Sequence, residues 1–447
     1  MTQEKAGSMR RITGTASALA LGLSLLGPRV GEAQAPSGAS EVTFAGDVAE
    51  IIQEKCQVCH QPGAIGPMSF MSYDEIRPWA PMIRERILNQ EMPPYHYDVN
   101  VGVQELKSDA RLTQDEIATI VAWIDAGAPL GDPAEMPEPV VWPDAREWRL
   151  AERFGQPDAI ISSDPYTVPP DGGDRWWRPQ VETGIAEDRC IMAIETKPRI
   201  EGRSATHHGN SVFVVQNEEG EWEEFGRLSE YALGKLGEIV PADACRTAPA
   251  NSQVRWDIHY YPAGTEVVDH QVDVGLWYYP EEFAGYKQDL RSYDVTGDLD
   301  MAPGGSTMTQ GFHSFDHPVR IDSWQPHGHL RMVGASLEIF HPSTGEREAV
   351  SMVSNWTAYW HLSHVYEDHV APLVPAGSVI VLTQWYDNSA NNKNNPDPTV
   401  WSGAGSRTTD EMSHSWIAIT HLDQAGYDEI VAQREALKEL RNTAGDG

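Results

Sequence analysis

The apolar periodicity of this chain of 447 residues changes once, near residue 133, and that change limits the folds open to it. Before it, apolar residues recur at helical spacing. Ile76, Trp79, Ile83 and Ile87 form one stripe, with Pro78 and Pro81 setting where its regular turns begin, and Ile117, Ile120, Val121 and Ile124 form another. Thr113 and Glu116 make a capping box ahead of the second stripe, and Gly127 ends it. After the change, residues 211–216, 254–261, 271–279, 331–340, 379–386 and 413–420 read as strands between clusters of Gly, Pro, Asn and Asp. No long helical stripe returns until about residues 427–441. The pattern predicts a multidomain chain. An all-α domain over 36–132 leads through a Pro/Glu-rich linker over 133–150 to two all-β sandwich (jelly-roll-like) domains, over 151–304 and 305–425. A helix and tail close the chain over 426–447.

Residues 1–35 have the order of a secretory signal. Lys5, Arg10 and Arg11 open it, an apolar run follows over about 16–26, and Ala33-Gln34-Ala35 offers the cleavage site. The apolar run is too short to span a bilayer, although an uncleaved anchor is the alternative. Arg10-Arg11 hints at twin-arginine export. The expectation is a periplasmic protein without stable membrane insertion. Its 33 Lys+Arg against 66 Asp+Glu give a net charge of -33. That balance argues against nucleic acid and anionic lipid surfaces, which recruit basic patches.

Two of the four cysteines sit in Cys56-Gln57-Val58-Cys59-His60. This spacing, followed at once by His, reads as covalent attachment of haem c, with thioethers from Cys56 and Cys59 and an iron ligand from His60. A zinc or redox pair is the alternative. Asp47 and Glu50 read as a capping box for the helix that carries the motif, with Val48, Ile51 and Ile52 as its apolar stripe. In an exported chain the other pair, Cys190 and Cys245, reads by default as a disulfide. A first helix bearing the haem motif and a last helix folding back on it resembles a small class I cytochrome c over about 90 residues. The resemblance implies a methionine as second axial ligand. Met92, in Glu91-Met92-Pro93-Pro94, is the first choice; Met68, Met71 and Met82 are alternatives, and His96 is a rival.

Sixteen histidines are many for this length, and three arrangements stand out. In Trp324-Gln325-Pro326-His327-Gly328-His329 the two imidazoles are two residues apart and face one side of an extended chain, with Gly328 leaving room for an ion. Thr206-His207-His208-Gly209 opens a strand, where adjacent side chains point oppositely. Joint ligation there needs a strand end or a distortion that Gly209 permits. In the strand over 254–261, Val254, Trp256, Ile258 and Tyr260 fall on one face and Arg255, Asp257 and His259 on the other. His270, His313, His317, His341, His361, His364, His369 and His421 read as surface or hydrogen-bonded structural residues.

Together these positions resemble the copper type II monooxygenases, the family of peptidylglycine α-hydroxylating and dopamine β-monooxygenase. The resemblance covers roughly residues 157–423 and implies two β-sandwich domains with one copper each. It implies His207, His208 and His259 at the first copper, and His327, His329 and Met412, in Thr409-Asp410-Glu411-Met412, at the second. Two imidazoles with one thioether suit Cu(I) and would serve zinc poorly. Residues 387–398, rich in Asn, Asp and Pro, look like the loop before the methionine strand in bacterial relatives.

The resemblance implies insertion of one atom of O2 into a C–H bond of a small organic substrate, with His327, His329 and Met412 at the catalytic copper. Animal members draw electrons from ascorbate. The haem domain is the departure here, and it suggests that haem c relays electrons from a periplasmic donor instead. Two other readings are a copper- and haem-binding protein without oxygen chemistry, and an electron-transfer cytochrome with an inert β appendage.

Overall fold

The computed structural model describes residues 42–445 apart from His96, Leu233 and Leu236. The signal expected over 1–35 and the rival ligand His96 lie outside the described residues.

The chain begins helical. Thr43 caps the first turn, its Oγ1 accepting from the Gly46 N–H while its own N–H donates to Asp47 Oδ2. The start falls one turn earlier than the expected Asp47 cap, because a π turn over Phe44–Val48 precedes the α-helix Ala49–Lys55. Thr113 and Glu116 form the expected box at the head of Gln114–Asp125. These helices and Ala80–Leu88 bury Val48, Ile52, Ile87, Ile120 and Trp123 with Phe44 and Phe70 in one small core.

The remainder is mostly β-strand, and its apolar faces meet in two cores. The first packs Phe213, Val254, Trp256, Ile258 and Tyr260 of a five-stranded sheet against Val272, Val274 and Leu276 of a ten-stranded one. The second packs Leu337, Ile339, Ile380 and Leu382 of a four-stranded sheet against Val319, Ile321, Ile417 and Ile419 of the same ten-stranded sheet. One sheet therefore backs both cores. It is continuous where Ala244–Ala248 runs parallel to Tyr286–Asp294, pairing Ala244 with Tyr286 and Cys245 with Lys287. Cys190 and Cys245 form the expected disulfide between neighbouring strands of this sheet, with Cα atoms 5.0 Å apart.

The helical part does not hang from a free tether. Within 133–150, Trp142 Nε1 donates to Gln57 Oε1 and Arg149 Nη2 to the Val58 carbonyl, while Trp148 packs on Trp277 of the first β region. Residues 97–107, counted in sequence with the helices, belong to the second β core instead. Tyr97 and Leu106 are buried there, and the Asp98 and Val103 N–H groups donate to the Met352 and Val350 carbonyls. At Gly102, with φ +63°, a Cβ would lie 2.1 Å from the Val350 oxygen, so only glycine fits.

Candidate metal centre

Strand Gln253–Tyr260 sends Val254, Trp256, Ile258 and Tyr260 into the core, so His259 faces away from it, as the alternation predicts. The strand pairs with Thr206–Gln216: Ile258 opposes Gly209, His259 opposes His208, and Tyr260 opposes Thr206. His207 is left over, which makes it a β-bulge. The bulge turns two adjacent imidazoles to one side. Gly209, expected to supply the distortion, pairs regularly with both of its neighbours.

The ligand nitrogens of His207, His208 and His259 lie within 4.8 Å of one another, the one such grouping of three or more His, Cys, Asp or Glu among the described residues. Their ring centroids are 5.0 to 5.3 Å apart. His207 Nδ1 and His259 Nδ1 approach to 3.2 Å. Two nitrogens on one metal, each at ~2.0–2.1 Å and at a tetrahedral angle, stand about 3.3 Å apart. The Asp174 carboxylate lies 3.3 Å from His259 Nε2, though without hydrogen-bond alignment. Trp176, the cross-strand partner of His259, stacks on its ring at 4.2 Å. Burial pushes the His207 pKa down to about 4 and that of His208 well below the ordinary imidazole range. Both rings are neutral near pH 7, the form that offers a lone pair.

The second set is built at a strand end. His327 closes Val319–His327 and pairs with His414, their rings 4.5 Å apart, and the His329 ring lies 5.6 Å from that of His327. A Cβ on Gly328 would sit 2.4 Å from Met332 Sδ, so a larger residue there would collide with Met332, while Gly328 itself lines the cavity beside the two imidazoles. Glu411 is fully buried and accepts the N–H groups of His329 at 2.9 Å and Arg331 at 2.7 Å. Arg331 donates in turn to the Thr409 carbonyl and to buried Asn388 of the Asn-rich loop. That network holds the Asp410-Glu411-Met412 segment against His329. Burial lifts the Glu411 pKa to about 7, against the two N–H groups that favour its anion. His329 Nδ1 lies 3.1 Å from the Asp410 carbonyl, which can only accept. Nδ1 therefore carries the proton and Nε2 keeps its lone pair, the arrangement common behind metal-binding imidazoles.

One cavity of about 410 Å3 is lined by His207, His208 and His259 and also by His327, His329 and Met412. His361 and His414 also line it. Sequence reasoning gave His361 a structural role and left His414 out. His414 had a usable signal, since it stands two residues after Met412 on an extended segment and so shares its side. His361, on the irregular stretch after Glu346–Val353, had none.

At the cysteine motif, Cys56 caps the C-terminus of Ala49–Lys55, and neither Cys56 nor Cys59 is in a disulfide. His60 stacks on Phe70 at 4.3 Å, and its Nδ1 lies 3.1 Å from the Met68 carbonyl, which leaves Nε2 as the donor to a metal. Met68 is thus tied through its backbone carbonyl to the Nδ1 edge of the ring. Met92 lines a separate cavity of about 280 Å3 with Ile87, Leu112 and Ile117. Cys56, Cys59 and His60 through Nε2 are the residues that would hold a haem.

No protein-family model matches this chain, and no curated protein matches it. Among solved structures, the PBSX exported protein XepA is similar over 51% of this chain and 86% of its own, at 5% identity and a TM-score of 0.16. The CBM22 tandem domain of Paenibacillus barcinonensis Xyn10C is similar over 60% and 98%, at 9% identity and a TM-score of 0.16. The infectious bursal disease virus Gt strain structure gives 60% and 73%, at 9% and 0.16. Likeness of that size carries no argument about this chain.

Proposed function

We propose that the chain is a metalloprotein with two donor sets on one cavity and a covalent haem, and within that class a periplasmic copper monooxygenase resembling the copper type II family. It would hydroxylate a C–H bond of a small organic substrate. The observation that carries this reading is the convergence of His207, His208 and His259 on the cavity that also takes in His327, His329 and Met412. Three imidazoles on one side, and two imidazoles with a thioether on the other, are donors for copper in either oxidation state. Bound copper would supply single electrons and activate dioxygen. The balance is substrate C–H, O2, two electrons and two protons going to the alcohol and water.

The residues of this chain would divide the remaining work. The stacked Trp176 ring and the Asp410 carbonyl orient His259 and His329, and Glu411 keeps the methionine segment in register with the second pair. Trp176 and Trp416 wall the cavity and leave an apolar surface for substrate.

A haem at Cys56 and Cys59 would deliver electrons singly. Support for a relay comes from docking. The cavity lined by Cys59 and Val58 is also lined by Ala232, the cross-strand partner of His208. Arg203, four residues before His207, donates to the Gly63 carbonyl of the haem loop and to the Ala145 carbonyl, both at 2.8 Å. Among the described residues no helix is long and apolar enough to cross a membrane.

The test is copper and haem analysis of purified chain, followed by oxygen uptake and a mass search for products one oxygen heavier in a metabolite extract. Haem iron without stoichiometric copper after reconstitution ends the reading.

A further inference from the structure

His361 stands between the two donor sets. Its ring centroid is 4.9 Å from that of His327, and 6.1 and 5.8 Å from those of His207 and His208. It is 7% exposed and lines the shared cavity. Behind it, His361 Nδ1 lies 3.5 Å from Glu230 Oε1. Glu230 is itself buried. It accepts from Gln325 Nε2 at 2.6 Å and lies 3.5 Å from Lys235 and 3.8 Å from Arg227. A buried carboxylate behind a buried imidazole is a costly arrangement for a residue that only fills space. It is the usual outer support of a metal-binding histidine, because it fixes the tautomer and the ring orientation. With Nδ1 turned to Glu230, Nε2 is the nitrogen that can serve a metal.

The spacing decides which set it serves. An imidazole nitrogen ~2.0–2.1 Å from a metal puts the ring centroid about 3.2 Å away, so two tetrahedral ligands have centroids about 5.2 Å apart. The His361–His327 separation fits that spacing, and the separations to His207 and His208 exceed it.

We propose that His361, oriented by Glu230, is a further metal ligand at the His327, His329 and Met412 set, and that its ring forms the wall between the two sets. Resting on the copper reading above, the inference makes the second centre richer in nitrogen than two imidazoles and one sulfur. It also ties the second metal to a carboxylate rooted in strand Trp222–Ala232, which belongs to the sheet of the first set.

The experiment is a Cu(II) titration of the metal-stripped full chain, haem retained, against a competing chelator, with electron paramagnetic resonance at each equivalent. Wild type is expected to take two coppers. His361→Ala and Glu230→Gln are each expected to weaken the second copper tenfold or more and to change its nitrogen hyperfine pattern, leaving the first copper as in wild type. His361→Gln, which keeps most of the side-chain volume, controls for collapse of the cavity, and circular dichroism checks the fold. Unchanged affinity and spectrum of the second copper in both folded His361 variants overturn the inference and leave the copper reading standing. A wild-type chain that takes up no copper overturns the copper reading itself, and the inference with it.

Discussion

His208 faces His259 across the sheet, and the next pair, Thr206 with Tyr260, skips His207. That one-residue slip turns a sequence of two oppositely directed imidazoles into a convergent pair, so the first set depends on backbone register as much as on composition. Replacing His259 with Ala is expected to bring copper from two to one per chain by elemental analysis, with haem absorption unchanged. Retention of two coppers would refute the assignment of this set.

Arg203 joins the haem loop to the segment that leads into His207. Arg203→Ala removes both hydrogen bonds and touches no proposed metal ligand. Haem and copper contents should match wild type, and reoxidation of reduced haem in the presence of copper and oxygen should slow about tenfold or more in stopped-flow absorbance. An unchanged rate would mean that this contact does not govern the relay.

The Cys190–Cys245 disulfide closes a loop with a sequence separation of 55, and the His207-His208 strand lies inside it. Loop-closure entropy assigns such a crosslink about 4 kcal/mol, and removing a native disulfide typically costs about 2–5 kcal/mol. The Cys190→Ser/Cys245→Ser double variant should melt several degrees lower and lose the first copper at a lower temperature than wild type. Equal melting temperatures would contradict this.

Burial takes the His270 pKa down to about 4, while the ordinary imidazole value is 6.5. Between those values the unfolded chain binds a proton that the folded chain does not, so stability falls as the pH is lowered through this window and levels off below it. One such group contributes at most about 1.4 kcal/mol per pH unit. His270 Nε2 lies 2.9 Å from Thr206 Oγ1, beside the bulge, and a Cβ on Gly202 would meet the ring at 2.2 Å. Denaturant midpoints of metal-free protein should drop from pH 6.5 to 4, and His270→Gln should flatten part of that drop. A midpoint independent of pH across the window would rule the effect out.

Local pattern carried much of this protein. The helix box at Thr113 and Glu116 and the outward face of His259 follow from spacing and alternation, because caps and pleats are set by neighbours in the chain. The disulfide between Cys190 and Cys245, the default for the two cysteines outside the haem motif, is present. What stayed hidden needed the third dimension. The bulge at His207 is a mismatch between two strands, and it cannot be read from either one alone. Asp98 and Val103 donate to Met352 and Val350 of the second β core, some 250 positions away, where no local pattern could point to them. His361 reaches the cavity from an irregular segment whose sequence has no periodicity, and only the folded chain sets it against Glu230, 131 residues earlier. Side chains that meet through long-range packing leave no trace in local spacing: neighbours along the chain set the caps and strand faces, and packing between distant segments sets which imidazoles line one cavity.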